Sequence, residues 1–128
     1  MRIGVVEVFV DDQEKARAFY TNVLGFEVKI DVASSESTRW LAVVSPEDPG
    51  GAQLLLAAMT DAARALQEER RAAGTPAISF TTDDCERDYD ELRSRRVTFH
   101  FPPRRMEYGG TDAVFEDGCG NLLNLHED

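Results

Sequence analysis

The stretch Val10-Asp11-Asp12-Gln13-Glu14 returns 72 residues later as Thr82-Asp83-Asp84-Cys85-Glu86. Each copy joins an apolar run to a segment with helical spacing. A chain of 128 residues therefore reads as one unit written twice, and each copy is too short to bury a sheet alone. The repeat restricts the fold to two related modules that complete each other.

In the first module, the Val5, Val6, Val8 and Val10 positions predict a strand over residues 4–10 that is mostly buried on both faces. Asp12 is placed to cap a helix in which Ala16, Phe19, Tyr20 and Val23-Leu24 recur at helical spacing until Gly25. Strands follow at 26–30, 39–44 and 53–57, with a Ser-rich turn at 34–37 and a Pro-Gly-Gly turn at 49–51. Thr60 opens a second helix, which runs to Ala73 and stops at Gly74.

The pattern then restarts. Residues 77–82 read as a strand, 86–95 as a helix with Tyr89 and Leu92 inward, and 97–101 as a strand. Residues 102–110 read as a loop, and 112–116 with 122–126 as a hairpin about Asp117-Gly118-Cys119-Gly120-Asn121. The organisation is module 1 at about 1–58, a bridging helix at about 60–74, and module 2 at about 76–128.

Charge narrows the partners. With 14 Lys+Arg against 24 Asp+Glu the net charge is −10, and the short basic clusters at Arg70-Arg71, Arg93 to Arg96 and Arg104-Arg105 do not form a long basic face. No nucleic-acid or membrane partner is expected. Residues 1–10 are too short and too interrupted by Glu7 for a signal peptide or a membrane span. Two isolated cysteines, Cys85 and Cys119, form no disulfide framework. A reducing, cytoplasmic location is the expectation.

The segments Val10-Asp11-Asp12, Phe19-Tyr20, Val23-Leu24-Gly25-Phe26, the restart at 77–84, and Phe115-Glu116-Asp117 through Gly120-Asn121-Leu122 together resemble the vicinal oxygen chelate superfamily, the glyoxalase / bleomycin resistance / extradiol dioxygenase group. The resemblance covers essentially the whole chain. It implies an α+β fold of two βαβββ modules forming a cup-shaped, eight-stranded mixed sheet, and a homodimer.

Metal-dependent members carry four ligands in the cup. Matched residue by residue, these positions fall on Val5, on Leu55 with Gln53 and Ala57 beside it, on Ala77 and on Asn124. A divalent ion needs imidazole, carboxylate or thiolate donors, so no metal ligand and no cofactor are assigned. An atypical divalent site made by Glu7, His126 and Gln53 is the alternative. His100 alternates with Phe99 and Phe101 and is expected at the surface.

Glu7 is the one acid in an apolar strand, so it either meets a partner such as Arg39 or faces a wet cavity as a general base or ligand contact. Arg104, Met106 and Tyr108 lie in a segment that the resemblance places near the mouth of the cup. Phe9 and Trp40 are candidates for stacking on a ligand, or for core. Asp11-Asp12 and Asp83-Asp84 are read as helix caps rather than catalytic pairs.

Two functions follow from the resemblance. The first is a metal-free protein that binds a small molecule, with an antibiotic or natural product among the candidates. Its contacts would be Glu7, Phe9, Trp40, Gln53, Leu55, Arg104, Met106, Tyr108, Asn124 and His126. The second is an isomerase-, lyase- or dioxygenase-type enzyme that uses an atypical metal site or Glu7 as base.

Overall fold

The protein, seen in a computed structural model that describes residues 1–33 and 38–128, begins with β1 (Val5–Val10). Next come α1 (Gln13–Ala18), a π-helical turn at Phe19–Val23, β2 (Glu27–Ala33), β3 (Arg39–Val44), β4 (Gln53–Ala58) and α2 (Asp61–Ala72). The remainder is β5 (Ile78–Thr81), α3 (Cys85–Ser94), β6 (Phe99–Arg105), β7 (Thr111–Glu116) and β8 (Leu122–Glu127). Two compact units result, Met1–Leu66 and Gln67–Asp128, divided within α2. The Ser-rich turn expected at 34–37 lies outside the described residues.

Each unit carries its own four-stranded sheet, in the orders β1-β4-β3-β2 and β5-β8-β7-β6. In both, the first strand of the unit runs parallel to the last, and the other neighbours are antiparallel. The eight strands of this α+β fold are thus distributed as two mixed sheets of the same topology.

In the first unit, Asp12 accepts the Lys15 amide at 3.0 Å and so satisfies an orphan donor at the start of α1. Tyr20 is fully buried, edge-on to Phe19 and stacked on Phe26. Gln13 ties α1 to the sheet by donating to the backbone carbonyls of Arg39 (3.1 Å) and Leu56 (3.0 Å). Val8, Val10, Leu41, Val43 and Leu56 fill the core, and each such side chain contributes roughly 1.5–3 kcal/mol by leaving water.

The second unit repeats the plan. Asp84 caps α3 by accepting the Arg87 amide at 2.9 Å, while Leu92, Phe115, Leu123 and Leu125 are buried. Gln67 and Arg70 of α2 donate to the Cys119 carbonyl, the Asn121 side chain and the Pro76 carbonyl. Thr60 opens α2 as expected, accepting the Ala63 amide at 3.1 Å. No described helix is long and apolar enough to cross a membrane.

Two expectations need correction. β1 is not buried on both faces: Val5 and Val6 are 44% and 40% exposed and Glu7 is exposed, leaving Val8 and Val10 as its buried residues. The strand lies at an edge of the sheet, where only one flank is paired. Residues 102–105 are not loop but the second half of β6. β6 is also an edge strand, and its register shifts between Phe101 and Arg104. Pro102 and Pro103 sit at that irregularity, where a missing N–H breaks no regular ladder.

Candidate functional site

Strand register sorts the candidate residues by face, because partnered residues in a sheet point the same way and alternate along each strand. In the first unit Glu7 is opposite Leu55, Val5 opposite Gln53, and Leu55 opposite Ala42. Glu7, Phe9, Gln53, Leu55 and Trp40 therefore share one face. Arg39 is three residues from Ala42 and lies on the other face, where it pairs with Asp31 at 2.8 Å and with Glu14 of α1. The suggested Glu7–Arg39 ion pair is thus ruled out by alternation. On the shared face Trp40 is 46% exposed, and the buried Gln53 Oε1 has no hydrogen-bond partner among the described residues.

In the second unit, Asn124 is opposite both Ser79 and Val114, His126 is opposite Asp112, and Arg104 is opposite Asp112. All of these share the face away from Ala113, Phe115 and Leu123, which are buried. A cavity of about 490 Å³ opens on this face, walled by Ile78, Phe101, Met106 and Val114, with Arg104 and Asn124 among its polar edges. The Arg104 guanidinium lies over the Phe101 ring, 3.7 Å from its centroid, a cation–π contact that holds a flat surface in the wall. A second cavity of about 500 Å³ is lined by Gly109, Gly110, His126 and Asp128, and it shares Ser79, Tyr108 and Asn124 with the first.

A hydrogen-bonded chain runs along this wall. The Tyr108 hydroxyl donates to one oxygen of the buried Asp112 carboxylate, and His126 Nδ1 is 2.6 Å from the other. His126 Nε2 is 3.1 Å from Asp128, and its ring stacks on Tyr108. The Asn124 amide donates to Ser79 Oγ at 3.0 Å and also hydrogen-bonds Asp112.

These contacts set the charges. Burial pushes the Asp112 carboxyl up, but the bonds from Tyr108, His126 and Asn124 outweigh it and leave its pKa lowered. The Asp112 hydrogen bond raises the His126 pKa above the ordinary value of 6.5 against the opposing effect of desolvation, and Asp128 adds to the rise. Tyr108 is likewise raised, first by its bond to Asp112. Chemically, the wall can hold a proton on His126, between the carboxylates of Asp112 and Asp128.

Arg104, Met106, Tyr108 and Asn124 are brought to one cavity, and His126 to its neighbour. Both His126 nitrogens are engaged by carboxylates of its own unit, Nδ1 by Asp112 and Nε2 by Asp128. Asp112 was not singled out from the sequence. The signal was present, because strands at 112–116 and 122–126 in antiparallel register set Asp112 against His126. Ser79 and Phe101 carried no such signal.

The residues at the four inherited ligand positions do not fit a divalent ion: Val5, Leu55, Ala57 and Ala77 offer no side-chain donor, and Gln53 and Asn124 offer only amides, the latter already donating to Ser79. Among the described residues no three His, Cys, Asp or Glu side chains are grouped to hold a metal.

Comparison with known proteins agrees with this fold. The chain is 40% identical over 126 residues to the uncharacterized protein YurT of Bacillus subtilis (strain 168), covering 98% of each. Its fold superposes with a TM-score of 0.80 at 32% identity on a member of the glyoxalase/bleomycin resistance protein/dioxygenase superfamily from Sphaerobacter thermophilus DSM 20745, over 100% of this chain and 98% of that one. TnmS3, an antibiotic binding protein from Streptomyces sp. CB03234, matches with a TM-score of 0.78 at 26% identity over 99% of this chain and 95% of that one. With residues 2–125 matching the family model, the chain belongs to the Glyoxalase/Bleomycin resistance protein/Dioxygenase superfamily.

Proposed function

We propose that this protein binds a small organic molecule without a metal and acts by sequestering it, as an antibiotic- or natural-product-binding member of its family. The observation that carries this reading is the cavity of about 490 Å³ in the second unit, within the range of ligand pockets, with apolar walls and a few convergent polar groups. The similarity to TnmS3 supports an antibiotic or other natural product as the ligand class. The unsuitable donor set at the inherited positions supports metal-free binding.

The two free cysteines support a reducing compartment such as the cytoplasm. Val5, Val32 and Trp40, exposed in the single chain, support a homodimer that covers them. Thermal denaturation against a panel of aromatic natural products tests the binding reading, since a ligand specific for the native state raises Tm by mass action. A panel that leaves Tm unchanged at millimolar concentrations overturns it.

A second reading, a metal-independent enzyme, is favoured by the Asp112–His126 couple at the cavity wall, with the exposed Glu7 carboxylate as another candidate base. Mass spectrometry of any bound compound after long incubation separates the two. Recovery of unchanged compound supports sequestration, and conversion that is lost in His126→Ala supports the enzyme.

A further inference from the structure

Arg104 is a cation at a cavity wall that no acid of its own chain answers. Its guanidinium lies over the Phe101 ring, 3.7 Å from the centroid, and makes no hydrogen bond or ion pair among the described residues. In a chain of net charge −10 this sets it apart from Arg39, Arg71 and Arg87, each of which holds a carboxylate. The acid that the β6–β7 register sets opposite Arg104 is Asp112. That carboxylate is taken up by Tyr108, His126 and Asn124.

Phe101 covers one face of the guanidinium. The N–H donors run in the guanidinium plane, around its rim, so the stack leaves them open while fixing the direction in which the fork points. Arg104 is exposed, and it borders the cavity of about 490 Å³ whose apolar wall includes Ile78, Met106 and Val114. A second donor is left over on the same wall. Ser79 Oγ accepts the Asn124 amide at 3.0 Å, and its own proton goes to no described residue. At Arg104 and Ser79 the cavity therefore offers donors, one of them charged, to a guest that supplies an acceptor.

Resting on the small-molecule reading above, we infer that Arg104 is the anion-binding contact of this cavity and that the ligand class is a planar aromatic acid. The carboxylate pairs with the guanidinium rim through two parallel N–H···O bonds, a geometry that the planar fork matches. The aromatic body lies on Ile78, Met106 and Val114 and leaves water as it enters. Because the Phe101 stack already holds the guanidinium, less rotamer freedom is lost when the acid binds. A neutral molecule of the same shape keeps the apolar contact and forfeits the charged pair.

The test uses three probes of one shape and different charge: 2-naphthoate, 2-naphthamide and 2-naphthylmethylammonium. They are titrated calorimetrically into the intact protein and into Arg104→Met at about pH 7.5, where the acid is ionised. The expected result is that native protein binds naphthoate about tenfold more tightly than naphthamide, with the ammonium weakest. In Arg104→Met the naphthoate preference falls to near one, with the affinity for naphthamide unchanged. As a measurement independent of the variant's folding, the Arg104 Nε–H resonance of labelled native protein shifts with naphthoate and not with naphthamide. If naphthamide or the ammonium binds native protein as tightly as naphthoate, or if the preference survives in Arg104→Met, the anion-binding role is overturned while small-molecule binding stands. If none of the three binds, the cavity reading fails together with it.

Discussion

His126 Nδ1 lies 2.6 Å from an oxygen of Asp112, a carboxylate only 3% exposed, because the β7–β8 register sets the two residues opposite each other. The pair joins the hairpin's two strands at the wall of the candidate site. It also makes the protein's stability respond to pH at both ends of the acidic range.

The sign of that response follows from the two shifts. His126 is raised in the fold, so its contribution is fully present below its ordinary value of 6.5 and is lost as pH rises through the folded value. Asp112 is lowered, so its contribution is present above its ordinary value of 3.8 and is lost as pH falls through the folded value. The couple is therefore strongest between those two ordinary values. Asp112→Asn should destabilise the protein more near pH 5.5 than near about pH 9, as read by urea denaturation at both. In the same variant the NMR titration midpoint of His126 should move down. A midpoint that stays where it is in the native protein would refute the coupling.

Asp117 holds the tip of the β7–β8 hairpin. Its buried carboxylate accepts the backbone amides of Cys119 (2.7 Å) and Asn121 (3.0 Å) and the Asn121 side chain (2.7 Å). Asp117→Ala leaves those donors unsatisfied in a dry turn and should cost about 3 kcal/mol, measured as a lower denaturation midpoint. A loss under about 0.5 kcal/mol would show that water replaces the carboxylate.

Gly109 and Gly110 both have positive φ, but only one is crowded. A Cβ at Gly110 would meet the Glu127 carbonyl at 2.5 Å and the His126 ring at 2.6 Å, whereas at Gly109 nothing lies within 4 Å. Gly109→Ala should cost only the left-handed backbone strain, about 1–2 kcal/mol, and leave the His126 titration unchanged. Gly110→Ala should cost more and displace His126 from Asp112. Equal effects in the two variants would contradict the packing described.

Cys85 is fully buried, and that burial, with added charge from Glu127 and Glu86, pushes its thiol up to about 11. At about pH 8 only about one molecule in a thousand carries the reactive thiolate. Iodoacetamide labelling followed by peptide mass spectrometry should find Cys85 unmodified in the native protein and modified in urea. Rapid stoichiometric labelling without denaturant is the contrary outcome.

Much of the fold was legible from the residues because the forces involved act within a few positions. Asp12 and Asp84 cap helices where they were expected to, since a carboxylate three residues before an orphan amide needs no tertiary help. The misreadings came where pairing outweighed local preference. Pro102 and Pro103 suggested a loop, yet β7 holds that segment as an edge strand on either side of the irregularity. Glu7 was assigned a burial problem that the edge position of β1 removes.

By itself the sequence determined that the chain is two copies of one strand-and-helix unit with helices capped at defined points, because periodicity, turns and caps are local. It also determined the family, through the spacing of those same elements. Only the tertiary structure decided which other groups meet: Tyr108 with Asp112, Asn124 with Ser79, and Arg104 with Phe101. Each depends on strand register and on which face a residue takes, and a shift of one position in a sheet would send all of them to the other side.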